Sequence, residues 1–130
     1  MNIKYNIFSR ACDIVEPAHK AKIPFGLNKI NTIKVSFYSL YQALHDQRHQ
    51  FIIIGDNLPH KLLDFFKLFK DVIVDNKIMG STTKSLQKQI DLALNVPNDK
   101  WVYMCEDDYF HMPYSFQYIS KFITNKTQYL

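Results

Sequence analysis

The sequence predicts an α/β fold, a Rossmann-like three-layer sandwich with a mostly parallel central sheet. Four short runs rich in β-branched and aromatic residues indicate strands, and a helical pattern follows each of them. Such alternation favours a parallel sheet covered by helices, because parallel neighbours need a crossover connection. With 130 residues, 47% of them apolar and 22% charged, the chain fits one globular domain over residues 1–130.

The predicted strands are short and bounded by polar residues or turn residues, as expected for buried strands. They are Ile3 to Ser9, Phe51 to Gly55, Val72 to Asp75 and Trp101 to Cys105. The stretch from Ala11 to Leu27 contains Pro17, Pro24 and Gly26 and lacks regular periodicity. We expect it to form a long loop over one end of the sheet.

The first two helices follow from the spacing of their apolar residues. One face of the first helix consists of Ile30, Ile33, Phe37, Leu40, Tyr41 and Leu44. Either Asn28 or Asn31 can cap its start. Pro59 fits the first turn of the second helix, whose apolar residues are Leu62, Leu63, Phe65, Phe66 and Phe69.

The third and fourth helices show the same spacing over shorter stretches. The third is predicted from about Thr82 to Asn95, with Ser81 as its cap and with Leu86, Ile90, Ala93 and Leu94 inward. Pro113 introduces the fourth, whose inner face is predicted as Phe116 or Ser115, then Ile119, Phe122 and Ile123.

Charge and cysteine content narrow the class of protein. The 16 basic and 12 acidic side chains give a net charge of +4, but the lysines are scattered along the chain, which disfavours nucleic acid as a partner. Cys12 and Cys105 lie far apart among apolar neighbours, so we expect reduced thiols. We find no secretory leader and no transmembrane segment in the sequence, and we predict a cytoplasmic protein.

Acidic residues follow the predicted strands at the edge where open α/β sheets bind ligands. Asp56 and Asp75 end the second and third strands, and Glu106, Asp107 and Asp108 follow the fourth. Three consecutive carboxylates after an apolar strand repel one another unless a cation neutralises them. Glu106 and Asp108 point to one side of an extended chain, where they can share Mg²⁺ or Mn²⁺.

Other roles for these acids stay open. The acidic triplet can stabilise the start of the last helix through its dipole. Asp56, in a Gly-Asp-Asn sequence, is also typical of a turn.

The order of these features resembles the nucleotide-binding half of GT-A glycosyltransferases, close to glycosyltransferase family 2. The similarity covers roughly residues 5–123 and includes Ile-Ile-Ile-Gly-Asp56-Asn, Gly-Ser-Thr-Thr-Lys84 at a helix start, and the acidic cluster after the fourth strand. It implies that Glu106, Asp107 and Asp108 match the Asp-x-Asp motif, which holds a divalent ion against the diphosphate of a nucleotide sugar. We expect Glu106 and Asp108 to be the metal ligands, with Asp108 as the direct one.

The same resemblance implies nucleotide-sugar-binding roles for Ser9, Arg10, Asp56, Lys84 and Asp107. The expected activity is transfer of a hexose-like sugar from a nucleotide-diphosphate donor to an acceptor that is a glycan, a lipid or a protein. Relatives continue for another hundred or so residues that carry the acceptor pocket and the catalytic base. The domain is therefore expected to be a truncated form or the N-terminal part of a longer glycosyltransferase, and no catalytic base is assigned.

Two alternative functions remain at the level of sequence. The chain can be a nucleotide-sugar-binding module that needs a partner for turnover, or another metal-dependent α/β phosphate enzyme. His111 beside the acidic cluster is expected to be structural or solvated. The aromatic residues near it are expected to pack in the core, although they could instead form an acceptor platform or an oligomer interface: Tyr109, Phe110, Tyr114, Phe116 and Tyr118.

Overall fold

The computed structural model describes residues 4–13 and 24–127 and confirms the predicted fold class. Four parallel strands form one sheet in the order β3-β2-β1-β4. They are β1 (Lys4–Cys12), β2 (Arg48–Asp56), β3 (Val72–Lys77) and β4 (Trp101–Glu106). The central residues of each strand agree with the prediction. The added residues are polar in β2, β3 and β4, whereas β1 is extended by Arg10, the buried Ala11 and Cys12.

Four helices alternate with the strands, as predicted. They are α1 (Lys29–Ala43), α2 (His60–Phe66), α3 (Thr82–Leu94) and α4 (Ser115–Thr127), and a short 3-10 turn spans Pro24–Gly26. Most of the loop expected over residues 11–27 lies outside the described residues, and Ala11 and Cys12 belong to β1. Within the described ranges, no helix combines the length and the apolar character that crossing a membrane requires.

Two side-chain caps fix where helices begin. Asn28 Oδ1 accepts from the backbone N–H of Asn31 at 2.7 Å, so Asn28 rather than Asn31 caps α1. Ser81 Oγ accepts from the N–H of Lys84 at 3.2 Å and caps α3, as the sequence predicted. Both caps satisfy a backbone donor that the first helical turn leaves without a partner.

The main core lies between one face of the sheet and helices α1, α2 and α4. Alternate strand residues such as Ile7, Phe51 and Ile53 point into it, because successive side chains of a strand face opposite sides. Phe37 of α1 is its centre and packs against five aromatic rings, with centroid distances of 4.7 to 5.8 Å. These rings belong to Tyr41, Phe51, Phe65, Phe66 and Phe69.

Helix α3 covers the other face of the sheet, and its predicted orientation is wrong. Leu86, Ile90 and Leu94 were expected inward but are exposed, whereas Ser85 and Gln89 are buried. The Gln89 amide donates to the backbone carbonyls of Phe8 at 2.6 Å and Cys105 at 3.2 Å. A buried amide with two partners is stabilised in place, so this polar contact sets the rotation of α3.

Helix α4 carries a smaller error of the same kind. Phe116 and Ile123 are buried as predicted, and Ile119 is partly buried against the core. Phe122, also predicted for the inner face, is largely exposed. Residues 122 and 123 are about 100° apart around a helix, and here Ile123 rather than Phe122 points into the core.

Candidate functional site

The candidate site lies where β1 has β2 on one side and β4 on the other. From β1 the chain first builds outward to β2 and β3, and it then returns through α3 to place β4 on the opposite side. Ligands of open α/β sheets bind at the carboxyl ends of strands at such a reversal. Here that position is formed by the end of β1, the end of β4 and the start of α1.

Arg10 and Glu106 form the first contact across this boundary. They lie directly opposite each other in the pairing of β1 with β4, and the Arg10 guanidinium donates to Glu106 Oε1. The Arg10 side chain is mostly buried, whereas that of Glu106 is 44% exposed. The first acid of the cluster is therefore neutralised by a side chain of the protein itself.

Asp107 is bound by two further elements. Lys29 Nζ donates to its Oδ1 at 2.8 Å, and the backbone N–H of Cys12 donates to its Oδ2 at 2.9 Å. Lys29 is the first residue of α1, and Cys12 is the last residue of β1. Asp107 thus joins three chain segments at one point, and its charge is balanced at close range.

Asp108 differs from its two neighbours. It is exposed in the turn after β4 and makes no hydrogen bond or ion pair with any residue of the described part of the chain. Among the described residues, no group of three or more His, Cys, Asp or Glu side chains is arranged to hold a metal ion. Mg²⁺ needs only one or two carboxylates when substrate phosphates complete its shell, and Asp108 with the exposed part of Glu106 fits that smaller requirement.

Lys29 is the site residue that the sequence analysis missed. It follows the Asn28 cap, and a helix that follows a parallel strand begins at the carboxyl edge of the sheet. The position of a lysine at the predicted start of α1 could therefore have indicated it. The sequence-based prediction assumed that an external cation neutralises the acids. In the structure Arg10 and Lys29 neutralise two of them.

Asp56 lies on the other side of the end of β1. It is opposite Cys12 in the pairing of β1 with β2, so Cys12 stands between Asp56 and Asp107. Asp56 is buried, and its Oδ1 accepts from the backbone N–H groups of Met79 at 2.7 Å and Gly80 at 3.2 Å. Its carboxylate therefore holds the loop between β3 and α3.

Three further residues that the sequence analysis named are Ser9, Lys84 and Asp75. Ser9 is half-buried within β1 and lies opposite Cys105 in the pairing of β1 with β4. Lys84 is exposed in the first turn of α3, and no contact within the described residues joins it to the acidic cluster. Asp75 lies inside β3 rather than after it and pairs with Lys77 and Lys88, each at 3.8 Å.

His111 has structural partners on several sides. Its Nε2 is 2.8 Å from the hydroxyl of Tyr103, its ring stacks near Phe116, and its backbone N–H donates to Ser39 Oγ at 3.0 Å. Burial lowers the pKa of His111, and the backbone of Tyr109 opposes that shift. These contacts support the structural interpretation of this histidine.

The aromatic residues after β4 divide into two groups. Phe116 is buried and packs edge-on against Tyr5 and Tyr103, with centroids 5.1 and 5.2 Å apart. The other four are exposed, so the prediction of core packing is wrong for them: Tyr109, Phe110, Tyr114 and Tyr118.

No family model matches the sequence, and neither the curated proteins nor the solved structures provide a match. The fold and the site define an α/β protein with a charged cluster at its topological switch point. Because a fold alone does not define a function, this charged cluster is the main structural evidence for what the protein binds.

Proposed function

We propose that the chain binds a nucleotide-diphosphate sugar together with Mg²⁺ or Mn²⁺ and belongs to a glycosyltransferase of GT-A type. The observation that carries the proposal is the set of two cations and three carboxylates at the ends of β1 and β4, the place where open α/β sheets bind ligands. The motif order of the sequence adds the resemblance to glycosyltransferase family 2.

The cluster has three carboxylates and two cations, so a diphosphate would bind there together with the divalent ion, which offsets the excess negative charge. Arg10 supplies a planar fork of donors for phosphate oxygens, and Lys29 supplies a compact charge beside it. Asp108, exposed and close in sequence to both paired acids, would hold the divalent ion from the protein side, with Glu106 as the second candidate ligand. When bound, the ion would stabilise the charge of the departing nucleoside diphosphate.

The nucleoside would lie toward β2 in this proposal. Asp56 and the loop that it holds border the cluster on that side, and Lys84 follows in the first turn of α3. Ser9 would contribute from β1. A cytoplasmic location stays part of this proposal.

Ligand-induced thermal stabilisation tests the proposal directly. A ligand that binds only the folded state raises its stability by mass action, so uridine and guanosine diphosphate sugars are tested with and without Mn²⁺. We expect stabilisation by at least one donor and a larger shift with Mn²⁺. Asp108→Asn should remove the metal-dependent part, whereas the exposed control Asp64→Asn should leave it unchanged.

The failure of every nucleotide diphosphate to shift the melting temperature, with or without metal, would contradict the proposal. Circular dichroism of Asp108→Asn separates a lost ligand from a lost fold. If Asp108→Asn unfolds the protein, the exposed turn after β4 is structural instead.

A nucleotide-sugar-binding module without turnover is the second candidate. It is favoured by the pairing of Glu106 with Arg10 and of Asp107 with Lys29, which neutralises two of the three acids without a metal. This alternative expects equal binding with and without Mn²⁺ and no release of nucleoside diphosphate in the presence of glycan, lipid or protein acceptors. Metal-dependent release would favour the enzyme.

A further inference from the structure

The outer edge of β4 and the sheet face beside it are left uncovered by the described residues. Within the described ranges, β4 pairs with β1 alone, so its other side presents backbone groups that no described strand pairs with. Val102 is 36% exposed and Met104 is 46% exposed. Both side chains point to the sheet face on which α3 lies, but α3 leaves them open to solvent. An apolar edge strand of this kind is a template for another strand.

Helix α3 extends the same apolar surface. Lys88 reaches Asp75 on β3, which identifies the flank of α3 that faces β3. Leu86 and Ile90 lie about 200° around the helix from Lys88, so they face the opposite flank, toward β4. Both side chains are exposed on that flank, whereas Leu94 points away from the sheet.

The two open edges of the sheet differ in how they are protected. β3 carries Asp75 and Lys77 within its length, and charges in an edge strand discourage pairing with other chains. β4 has no charged residue between Trp101 and Cys105. Its charges stand at the two ends, Lys100 before the strand and Glu106 at its last position.

We infer that β4 pairs antiparallel with β4 of a second copy of this chain, about a twofold axis at Tyr103. In this register Val102 lies opposite Met104 of the second copy, and Lys100 lies opposite its Glu106. Directly opposite side chains are about 5 Å apart, so an apolar pair and an opposite-charge pair form on each side of the axis. The strand is thus complementary to itself in apolar character. The exposed part of Glu106, which Arg10 contacts within its own chain, faces Lys100 of the second copy. That lysine contacts its own Asp99 at 3.3 Å.

The same symmetry sets the positions of the two α3 helices. A twofold axis perpendicular to the sheet places both α3 helices on one face of a continuous sheet of eight strands. Because each α3 lies over β1 and β2, the two helices stand apart, one on each side of the paired β4 strands. The inferred dimer shares Glu106 with the proposed metal site, so its tests are run without divalent metal.

Concentration-dependent mass is the first measurement. Light scattering and sedimentation should give twice the 15.4 kDa mass of one chain at high concentration, with dissociation on dilution. Lys100→Glu places like charges opposite Glu106 at both ends of the paired strands, and it should weaken dimerisation at least about tenfold. Lys100→Arg keeps the charge and serves as the matched control, and circular dichroism verifies that both variants fold.

Disulfide trapping tests the register. Val102→Cys and Met104→Cys proteins, each carrying Cys12→Ser, are oxidised separately and as a mixture. Opposite residues of an antiparallel pair fall within the Cα separation of about 4.4 to 6.8 Å that a disulfide accepts. The mixture should give a crosslinked heterodimer, and each protein alone should give far less.

Three results would overturn the inference. They are a single-chain mass at every concentration, a dimer that Lys100→Glu leaves unchanged, and equal crosslinking of the Val102→Cys protein with itself. The second would indicate an interface elsewhere on the surface, and the third would indicate a different register.

Discussion

Arg10 and Glu106 lie directly opposite each other in the pairing of β1 with β4, and the guanidinium of one donates to the carboxylate of the other. The contact joins the two strands at the topological switch point of the sheet. It also explains how a carboxylate can follow an apolar strand without an external ion, because the neighbouring strand supplies the opposite charge.

A double-mutant cycle should detect this contact. Arg10→Gln and Glu106→Gln are each expected to lower the free energy of unfolding, and the coupling between them should be about 1 kcal/mol, as for a partly exposed ion pair. Urea unfolding of the four proteins gives the value. Lys67→Gln with Asp64→Gln, an exposed pair on α2, is the control and should show a smaller coupling. Additive effects of Arg10→Gln and Glu106→Gln would mean that the pair contributes nothing.

The sequence was sufficient for the fold class because the alternation of strand and helix patterns is local information. The central residues of the strands and the Ser81 cap were predicted correctly, and the α1 cap was narrowed to Asn28 or Asn31, since each depends on residues close in the chain. Sheet order is not local in this sense. The position of β4 beside β1 became visible only in the structure.

The rotation of α3 shows where periodicity fails. Its apolar residues have helical spacing, but the buried Gln89 amide bonds to two strands and turns the helix away from Leu86 and Ile90. A contact between residues 81 positions apart cannot be inferred from a helical pattern. The pairing of Lys29 with Asp107, 78 positions apart, was missed for the same reason.

Asp56 should stabilise the loop between β3 and α3 through its two backbone donors. Asp56→Ala leaves the N–H groups of Met79 and Gly80 without their acceptor, and it should lower the free energy of unfolding by about 1 to 3 kcal/mol. Asp56→Asn keeps an acceptor oxygen and should retain most of the stability. Urea unfolding compares the three proteins, and hydrogen exchange at Met79 and Gly80 should be faster in Asp56→Ala. Equal losses in both variants would show that the charge, rather than the acceptor, matters.

His111 should make stability depend on pH. Burial lowers its pKa in the folded state, so the unfolded state, with a pKa near 6.5, binds the proton more readily. The contribution of neutral His111 is therefore complete above about pH 6.5 and is lost as the pH falls through the lower folded pKa.

The test compares the wild-type protein with His111→Gln, which cannot titrate in this range. The stability difference between them should decrease from about pH 7 to about pH 5, measured by urea unfolding at each pH. His60→Gln, at an exposed histidine, should leave the pH dependence of the wild type unchanged. Parallel stability curves for the wild type and His111→Gln would contradict the assignment.

Cys105 should report the opening of β4. Burial raises its pKa to about 11, the nearby Glu106 and Asp107 charges add to the shift, and the Ser9 hydrogen bond opposes it. Because the thiolate is the reactive form, Cys105 in a Cys12→Ser protein should react with a disulfide reagent only when the strand opens. Its labelling should be slow and should accelerate with urea in step with unfolding.

The half-buried Cys12, measured alone in Cys105→Ser, should react faster without denaturant. Labelling of Cys105 as fast as Cys12 would show that β4 opens locally in the native state, without the protection that its pairing with β1 should give.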